Sequence, residues 1–182
     1  MKEILISVFM CAALSASAQK IYTKNGQIDF YSDAPMEKIE ATNTKATSVV
    51  DLASGAMQWS VLIKAFHFEK ALMEEHFNEN YMESSKFPKA TFKGALDNLE
   101  EIDFSADGTY IAQISGDLNV HGVTKPIKTQ GTFEVKEGKI SGSTEFSIAV
   151  ADFEIEIPSI VKENIAKDVR IIVKADYLQL EQ

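Results

Sequence analysis

Residues 110–120 read YIAQISGDLNV, and apolar or small side chains occupy every second position of this stretch. A period of two is typical of a β-strand with one buried face. The same period recurs in residues 127–135, IKTQGTFEV, and in residues 140–150, ISGSTEFSIAV. The short segments between these runs contain Gly122 and Gly138, which favour tight turns. The three runs therefore predict consecutive antiparallel strands in a meander.

Further strand-like runs lie on both sides of this meander. They cover residues 27–32, 46–51, 56–64, 91–96 and 169–180. Together with the meander they predict an all-β fold of about eight antiparallel strands. A sheet of this size can close into a barrel or fold as a sandwich, and closure removes the edge strands that promote aggregation. We therefore expect an extended, eight-stranded antiparallel β-barrel, whose interior either fills with side chains or holds one ligand.

One segment departs from the strand pattern. Residues 69–83 carry apolar or aromatic side chains at helical spacing, namely Leu72, Met73, His76, Phe77 and Tyr81. This stripe predicts an amphipathic helix that ends before Pro88 and is buried against the barrel. The helix either covers the mouth of the barrel as a lid or packs along one side. A second short helix is expected over residues 159–166, after Pro158.

The N-terminal residues 1–18 have the features of an export signal. Lys2 precedes a short apolar run from Ile4 to Leu14, and residues 16–18, ASA, form a small-x-small cleavage site. This run is shorter than the about 20 residues that span a bilayer. We therefore expect cleavage after Ala18 and release of a single domain, residues 19–182, into the periplasm or the medium. Cys11 is the only cysteine of the chain, and its lipidation is the alternative.

Charge and motif content argue against several classes of function. A net charge of −9 disfavours a nucleic-acid partner and adsorption to an anionic membrane. The three histidines, His67, His76 and His121, lack metal-binding spacing, and no G-x-S-x-G or phosphate-binding loop occurs. No later run is long and apolar enough to be a membrane-spanning helix. We therefore expect a non-enzymatic protein without catalytic residues, metal ions or other cofactors.

Four glycines lie on the apolar side of their strands: Gly94, Gly116, Gly131 and Gly142. Glycine weakens a strand and often marks a bend or a close approach by another group. These glycines either leave space for a ligand or satisfy the geometry of barrel corners. The sequence does not distinguish the two explanations.

Aromatic side chains supply most of the candidate ligand contacts. Six residues of inward parity are expected to line the interior: Trp59, Phe92, Tyr110, Ile114, Phe133 and Phe146. The helix is expected to contribute Phe77, Tyr81 and His76, and the turn after residues 110–120 to contribute His121. Such a lining suits a hydrocarbon chain whose polar end is held by a few groups. An ordinary packed core also accounts for these residues, with His121 as a structural tie of its turn.

Two blocks of sequence resemble the YceI-like family. The first runs from residues 66–68, FHF, through residues 72–81 to residues 86–94, KFPKATFKG, and the second is residues 116–126, GDLNVHGVTKP. The resemblance implies a lipocalin-like barrel, exported to the bacterial periplasm, that binds a polyisoprenoid or another long-chain amphiphilic lipid. The alternative is a secreted β-sandwich with a filled core that binds carbohydrate or protein. Ligand identity and oligomeric state are left open.

Overall fold

Nine antiparallel strands form one sheet in the computed structural model, which describes residues 20–180. The predicted export signal, residues 1–18, lies outside the described residues. The strands are β1 Lys20–Asp33, β2 Lys38–Asp51, β3 Ala56–Leu62, β4 His67–Phe68, β5 Lys89–Leu96, β6 Gly108–Val120, β7 Val123–Lys136, β8 Lys139–Ala149 and β9 Asp168–Gln179.

The sheet closes on itself. Its strand order is β1-β9-β8-β7-β6-β5-β3-β2-β4, and β1 also pairs with β2. The two-residue strand β4 pairs with β2 beyond the end of β3, so the closed ring has eight strands. The predicted eight-stranded, lipocalin-like antiparallel barrel is confirmed. A two-sheet sandwich with a filled core is excluded, because one continuous ladder surrounds the interior.

The predicted meander is β6, β7 and β8. Two-residue turns join these strands, since Val120 pairs with Val123 and Lys136 pairs with Lys139. Both residues of each turn have positive φ, at 53° and 80° for residues 121 and 122 and 51° and 73° for residues 137 and 138. This conformation matches the right-handed twist of a hairpin. The alternation predicted for the meander is also confirmed, because Ala112 is fully buried whereas Ile111 is 57% exposed.

Strands β1 and β2 are longer than predicted. Their runs at 27–32 and 46–51 extend to Lys20–Asp33 and Lys38–Asp51. Register shifts between Thr23 and Gly26, and between Gly26 and Ile28, are β-bulges that interrupt the period of two. Gly26 is needed there because a Cβ atom would lie 2.8 Å from Cζ3 of Trp59. The bulges explain why alternation alone does not reveal the full length of β1.

The helical segment is shorter and less regular than predicted. Helix α1 spans Ala71–His76 and continues as one wide π turn, Phe77–Tyr81, instead of a single helix over residues 69–83. The extra residue of a π turn rotates the following side chains. Met82, directly after the π turn, is buried, whereas Leu72, in the first turn of α1, is 61% exposed, contrary to its predicted place in the buried stripe. The helix predicted over residues 159–166 is only a 3₁₀ turn, Ser159–Val161.

The two ends of the barrel differ. At one end, here called the closed end, lie the β2–β3, β5–β6 and β7–β8 connections. Side chains fill the interior at this end. Phe104 from the β5–β6 connection packs edge-on against Phe133, with 5.2 Å between the ring centroids. The other end, here called the mouth, carries the β1–β2, β3–β5, β6–β7 and β8–β9 connections, and α1 belongs to it. Within residues 20–180, no helix is long and apolar enough to cross a bilayer.

Three of the four inward glycines are required by the backbone. Gly94 and Gly116 face each other on β5 and β6, and a Cβ on either would overlap the backbone of the other strand. A Cβ at Gly131 would lie 2.8 Å from the carbonyl oxygen of Ser143. At Gly142 the nearest atoms belong to the Phe133 ring, 3.1 Å away, and this glycine borders the interior cavity. The close approach of neighbouring strands therefore explains the glycines at positions 94, 116 and 131. The space that it leaves in the interior explains Gly142.

Replacing Gly116 with Ala is expected to destabilise the barrel by about 1–3 kcal/mol, because a methyl group must force two backbones apart. The free energy of unfolding in urea measures this loss. Gly142→Ala is the matched control, and the smaller loss expected there reflects a ring that can move aside. Equal losses for the two variants would contradict the backbone explanation.

Candidate functional site

A cavity of about 370 Å³ occupies the mouth half of the barrel. It reaches from Met57, Phe133 and Tyr177, where the closed end begins, to Ser32 and Glu37 at the mouth. Almost all of its lining is aliphatic or aromatic. The cavity is therefore a long apolar compartment with one end near solvent.

Strands β8 and β9 form the least filled wall of this cavity. Phe146 and Ile148 of β8 and Ile171 and Val173 of β9 point inward, yet each is only partly buried. Inward side chains elsewhere in the barrel, such as Ala112 and Val135, are almost completely buried. The partial exposure of this wall means that the folded chain leaves apolar surface uncovered inside its own barrel.

Four phenylalanines form a cluster beneath the mouth. Phe77 of the π turn stacks on Phe30 of β1 with 5.4 Å between ring centroids, and contacts Phe68 of β4 at 5.0 Å. Phe66 contacts both Phe30 and Phe77, at 5.5 and 5.7 Å. All four rings border the cavity. The cluster fixes the helical segment to β1 and β4 beside the mouth and gives the entrance an aromatic wall.

The acidic, amide and imidazole groups of the lining lie at the mouth. Glu37, in the β1–β2 turn, accepts from the Lys70 ammonium at 3.2 Å and from the Asn164 side-chain amide at 3.4 Å. The Ser32 hydroxyl oxygen accepts from the Ala166 backbone amide at 2.9 Å. His76 of α1 also borders the cavity and is exposed. Three connections of the barrel thus meet in one polar rim.

The inner end of the cavity is bordered by the hydroxyl-bearing residues Thr132, Ser143 and Tyr177. The Tyr177 hydroxyl lies 3.4 Å from the hydroxyl of Ser48, and both residues are buried. Burial raises the pKa of Tyr177 to about 12, which the bond to Ser48 offsets only in part. Burial also raises the pKa of Tyr81, near the mouth. Both phenols are therefore neutral at physiological pH.

The structure brings most of the predicted ligand contacts together. Eight of them border the cavity: Trp59, Phe77, Tyr81, Phe92, Ile114, Phe133, Phe146 and His76. They come from strands β3, β5, β6, β7 and β8 and from the α1 segment. The five strand residues meet because they share inward parity, and the three residues of the α1 segment join them because this segment packs at the mouth.

Tyr110 and His121 lie away from the cavity. Tyr110 sits near the closed end, where its hydroxyl donates to the Ala106 carbonyl at 3.0 Å. His121 is held between the Phe153 carbonyl oxygen, 3.2 Å from Nδ1, and a Glu83 carboxylate oxygen, 3.0 Å from Nε2. Phe87 packs edge-on against its ring. His121 therefore ties three connections together beneath the rim, as the structural alternative for this residue predicted.

The histidines do not converge. His67 is exposed and pairs with Glu74 at 3.7 Å, His76 lies at the rim, and His121 is enclosed by its own partners. Among residues 20–180, no three His, Cys, Asp or Glu side chains are grouped so that they could hold a metal ion.

The sequence profile of the YceI-like domain matches residues 14–177. The chain belongs to the YceI-like domain family. A UPF0312 protein of Pseudomonas fluorescens is 36% identical over 62 residues, which are 34% of this chain and only 30% of the length of that relative.

Solved structures share the fold of this YceI-like domain. A polyisoprenoid binding domain from Saccharophagus degradans, implicated in plant cell wall breakdown, has a TM-score of 0.74 at 15% identity and covers 88% of this chain and 97% of its own. Burkholderia cenocepacia BcnA has a TM-score of 0.68 at 14% identity, with 84% and 96% covered. The Campylobacter jejuni YCEI protein has a TM-score of 0.55 at 16% identity, with 100% and 91% covered. At such identities the likeness is one of fold.

Several cavity residues of this YceI-like domain were not predicted. Ile171 and Val173 lie in the run VRIIV, residues 169–173, where consecutive apolar residues hide which side faces inward. Phe30 alternates regularly with Ile28 and Ser32 in the predicted run 27–32, so its inward position could have been found from parity. Glu37 has partners 33 and 127 positions away in the sequence. Ala175 and Tyr177 of β9 are buried. Counting back from them in steps of two gives Val173 and Ile171 as the inward-facing residues.

Phe77→Ala is expected to lower the free energy of unfolding by about 3 kcal/mol, because Phe77 holds together the aromatic cluster of this YceI-like domain. Urea denaturation measures the loss. Leu72→Ala in the same segment is the control, and it should change stability by less than about 0.5 kcal/mol because Leu72 is exposed. A stable Phe77→Ala variant that releases bound lipid much faster would instead identify the segment as a lid.

His121→Asn is expected to destabilise the YceI-like domain by about 1–3 kcal/mol, because two partly buried hydrogen bonds of the imidazole are lost. Asparagine tolerates the positive φ of this turn position, so backbone strain is not added. His67→Asn is the control for an exposed histidine. Urea denaturation measures the loss, and an unchanged free energy of unfolding in His121→Asn would contradict the structural role.

Proposed function

We propose that this YceI-like domain is a non-enzymatic binding protein that holds a long-chain apolar or amphiphilic lipid, of polyisoprenoid type, inside its barrel. The apolar cavity of about 370 Å³, bordered by inward side chains that the chain itself leaves uncovered, carries this proposal. Cavities that bind small molecules are concave and mostly apolar, with a few polar groups that fix orientation. The cavity has this distribution, with hydroxyl groups along its walls and its acidic and amide groups at the rim.

The hydrophobic effect supplies the affinity. Each methylene group transferred from water into the cavity contributes about 0.8 kcal/mol. The partly exposed wall formed by Phe146, Ile148, Ile171 and Val173 would be covered at the same time, which adds to the gain from the protein side. An elongated hydrocarbon therefore binds without any strong polar contact.

Phenylalanine rings and methionines suit a ligand of this kind. The rings of the aromatic cluster present flat apolar surfaces at the entrance, and Met57, Met73 and Met82 also border the cavity. Methionine side chains are flexible and polarisable, so they adapt to branched as well as straight chains. The methyl branches of a polyisoprenoid fit such a lining. The description of the Saccharophagus degradans neighbour as a polyisoprenoid binding domain supports the same ligand class for this chain.

Export to the periplasm, or secretion, is part of the proposal. It is supported by the signal-like residues 1–18, which precede β1, and by membership of the YceI-like family. A carrier of poorly soluble lipid in such a compartment would shield the chain of its ligand from water. The polar rim and the surface of the barrel would remain in contact with solvent.

A binding role fits the rim better than a catalytic one. The rim carboxylate of Glu37 is already engaged by Lys70 and Asn164, and Ser32 accepts from a backbone amide. None of these contacts resembles a nucleophile activated by a neighbouring base. In the residues described, the rim groups are arranged to hold connections together and to meet the polar end of a ligand.

Mass spectrometry of organic extracts from the purified protein tests the proposal, and a co-purified long-chain lipid is expected. Ile148→Trp should then fill part of the cavity, exclude roughly two methylene groups and weaken lipid binding roughly tenfold. Ile111→Trp is the control, because Ile111 points outward on β6. Absence of lipid in the extracts, together with no uptake of a fluorescent isoprenoid by the purified protein, would overturn the proposal.

A further inference from the structure

Glu37 is the one acidic or basic side chain, apart from the imidazole of His76, that borders the cavity among the described residues. The other ionisable groups of the lining are the phenols of Tyr81 and Tyr177. Burial raises the pKa of both phenols, so they carry no charge at neutral pH. The polar end of the cavity is therefore marked by a carboxylate.

Contacts from two other connections hold this carboxylate in place. Lys70, at the start of α1, lies 3.2 Å from Oε1 of Glu37, and Asn164 of the β8–β9 connection donates to Oε2 at 3.4 Å. The Glu37 side chain is 28% exposed and the Lys70 side chain 64% exposed. Lys70 approaches from the solvent side and does not border the cavity, so a ligand inside the barrel meets the carboxylate and not the ammonium group.

The remaining polar groups at this end are neutral hydrogen-bonding partners. Ser32 is 3% exposed, and its oxygen accepts from the Ala166 amide, which leaves its hydroxyl proton free to donate. A hydroxyl or amide at the end of a ligand can donate to the Glu37 carboxylate and accept from Ser32. A carboxylate or phosphate would instead face a like charge at the point where it leaves water, and an unpaired buried charge is strongly unfavourable.

We infer that the cavity selects lipids whose head group is neutral or cationic, such as a long-chain alcohol, amide or amine, and rejects the acid or phosphate of the same chain, with Glu37 as the residue that sets this preference. The inference rests on the proposed lipid-binding function and specifies its ligand class. The net charge of −9 acts in the same direction, since it disfavours the approach of any anionic lipid.

The test is competition between lipids that share one hydrocarbon chain and differ only in the head group. A primary alcohol, amide, amine and carboxylate each displace a fluorescent isoprenoid alcohol from the lipid-free protein. The alcohol, amide and amine should bind at least about tenfold more tightly than the carboxylate. Failure of all four to bind would count against the lipid-binding function itself. Equal binding of the alcohol and the carboxylate would overturn only the inference about the head group.

Variants identify the residue responsible. Glu37→Gln keeps the size of the side chain and one of its two acceptor oxygens but removes the charge, and it should bring the affinities for alcohol and carboxylate to within about threefold of each other. Asp33→Asn is the matched control, because Asp33 is an exposed acid at the end of β1, next to the same turn, and does not border the cavity. His76→Gln tests whether the imidazole of His76 contributes to the discrimination between alcohol and carboxylate. Discrimination that persists in Glu37→Gln, or disappears in Asp33→Asn, would remove Glu37 from this role.

Discussion

Backbone hydrogen bonds between β1 and β9 join the two edges of the sheet, and the interior depends on this closure. The pairing runs from Tyr31 opposite Arg170 to Ile21 opposite Gln179. An eight-stranded ring encloses a space that side chains can just fill or that can hold one ligand. Here both outcomes occur in the same barrel, because large side chains fill the closed end while Gly142, Thr144 and Val173 leave room in the part of the interior beyond it.

The meander could be predicted from the sequence because the alternation of inward and outward side chains dominates it. In β6 the inward and outward positions alternate without a bulge, so burial and sequence have the same period. Strand β1 lacks this property. Two bulges shift its parity, and polar residues lie inside the protein next to it, among them Asn43, which is fully buried and bonds the Leu62 carbonyl. A polar residue whose partner lies elsewhere in the fold cannot be distinguished from a surface residue by periodicity.

The cavity could be predicted from the sequence only in part, for a related reason. Inward aromatic residues could be selected by parity, and Trp59, Phe92 and Phe133 are found at the cavity. Whether an inward residue faces the cavity or the filled end depends on its height along the barrel, which parity does not contain. Tyr110 is an example, since it has inward parity but lies beside the closed end. The polar rim could not be predicted for a different reason. Its residues come from three connections that only the closed ring brings together.

The two ends of the described chain lie side by side. The Leu180 amide donates to the Lys20 carbonyl at 2.8 Å, and both residues belong to the closed end of the barrel. Anything attached before Lys20 or after Leu180, such as a fluorescent protein, an affinity tag or a tether to a solid support, therefore leaves the molecule on the side opposite the entrance. The domain can be immobilised or fused through either end with its entrance facing the solution.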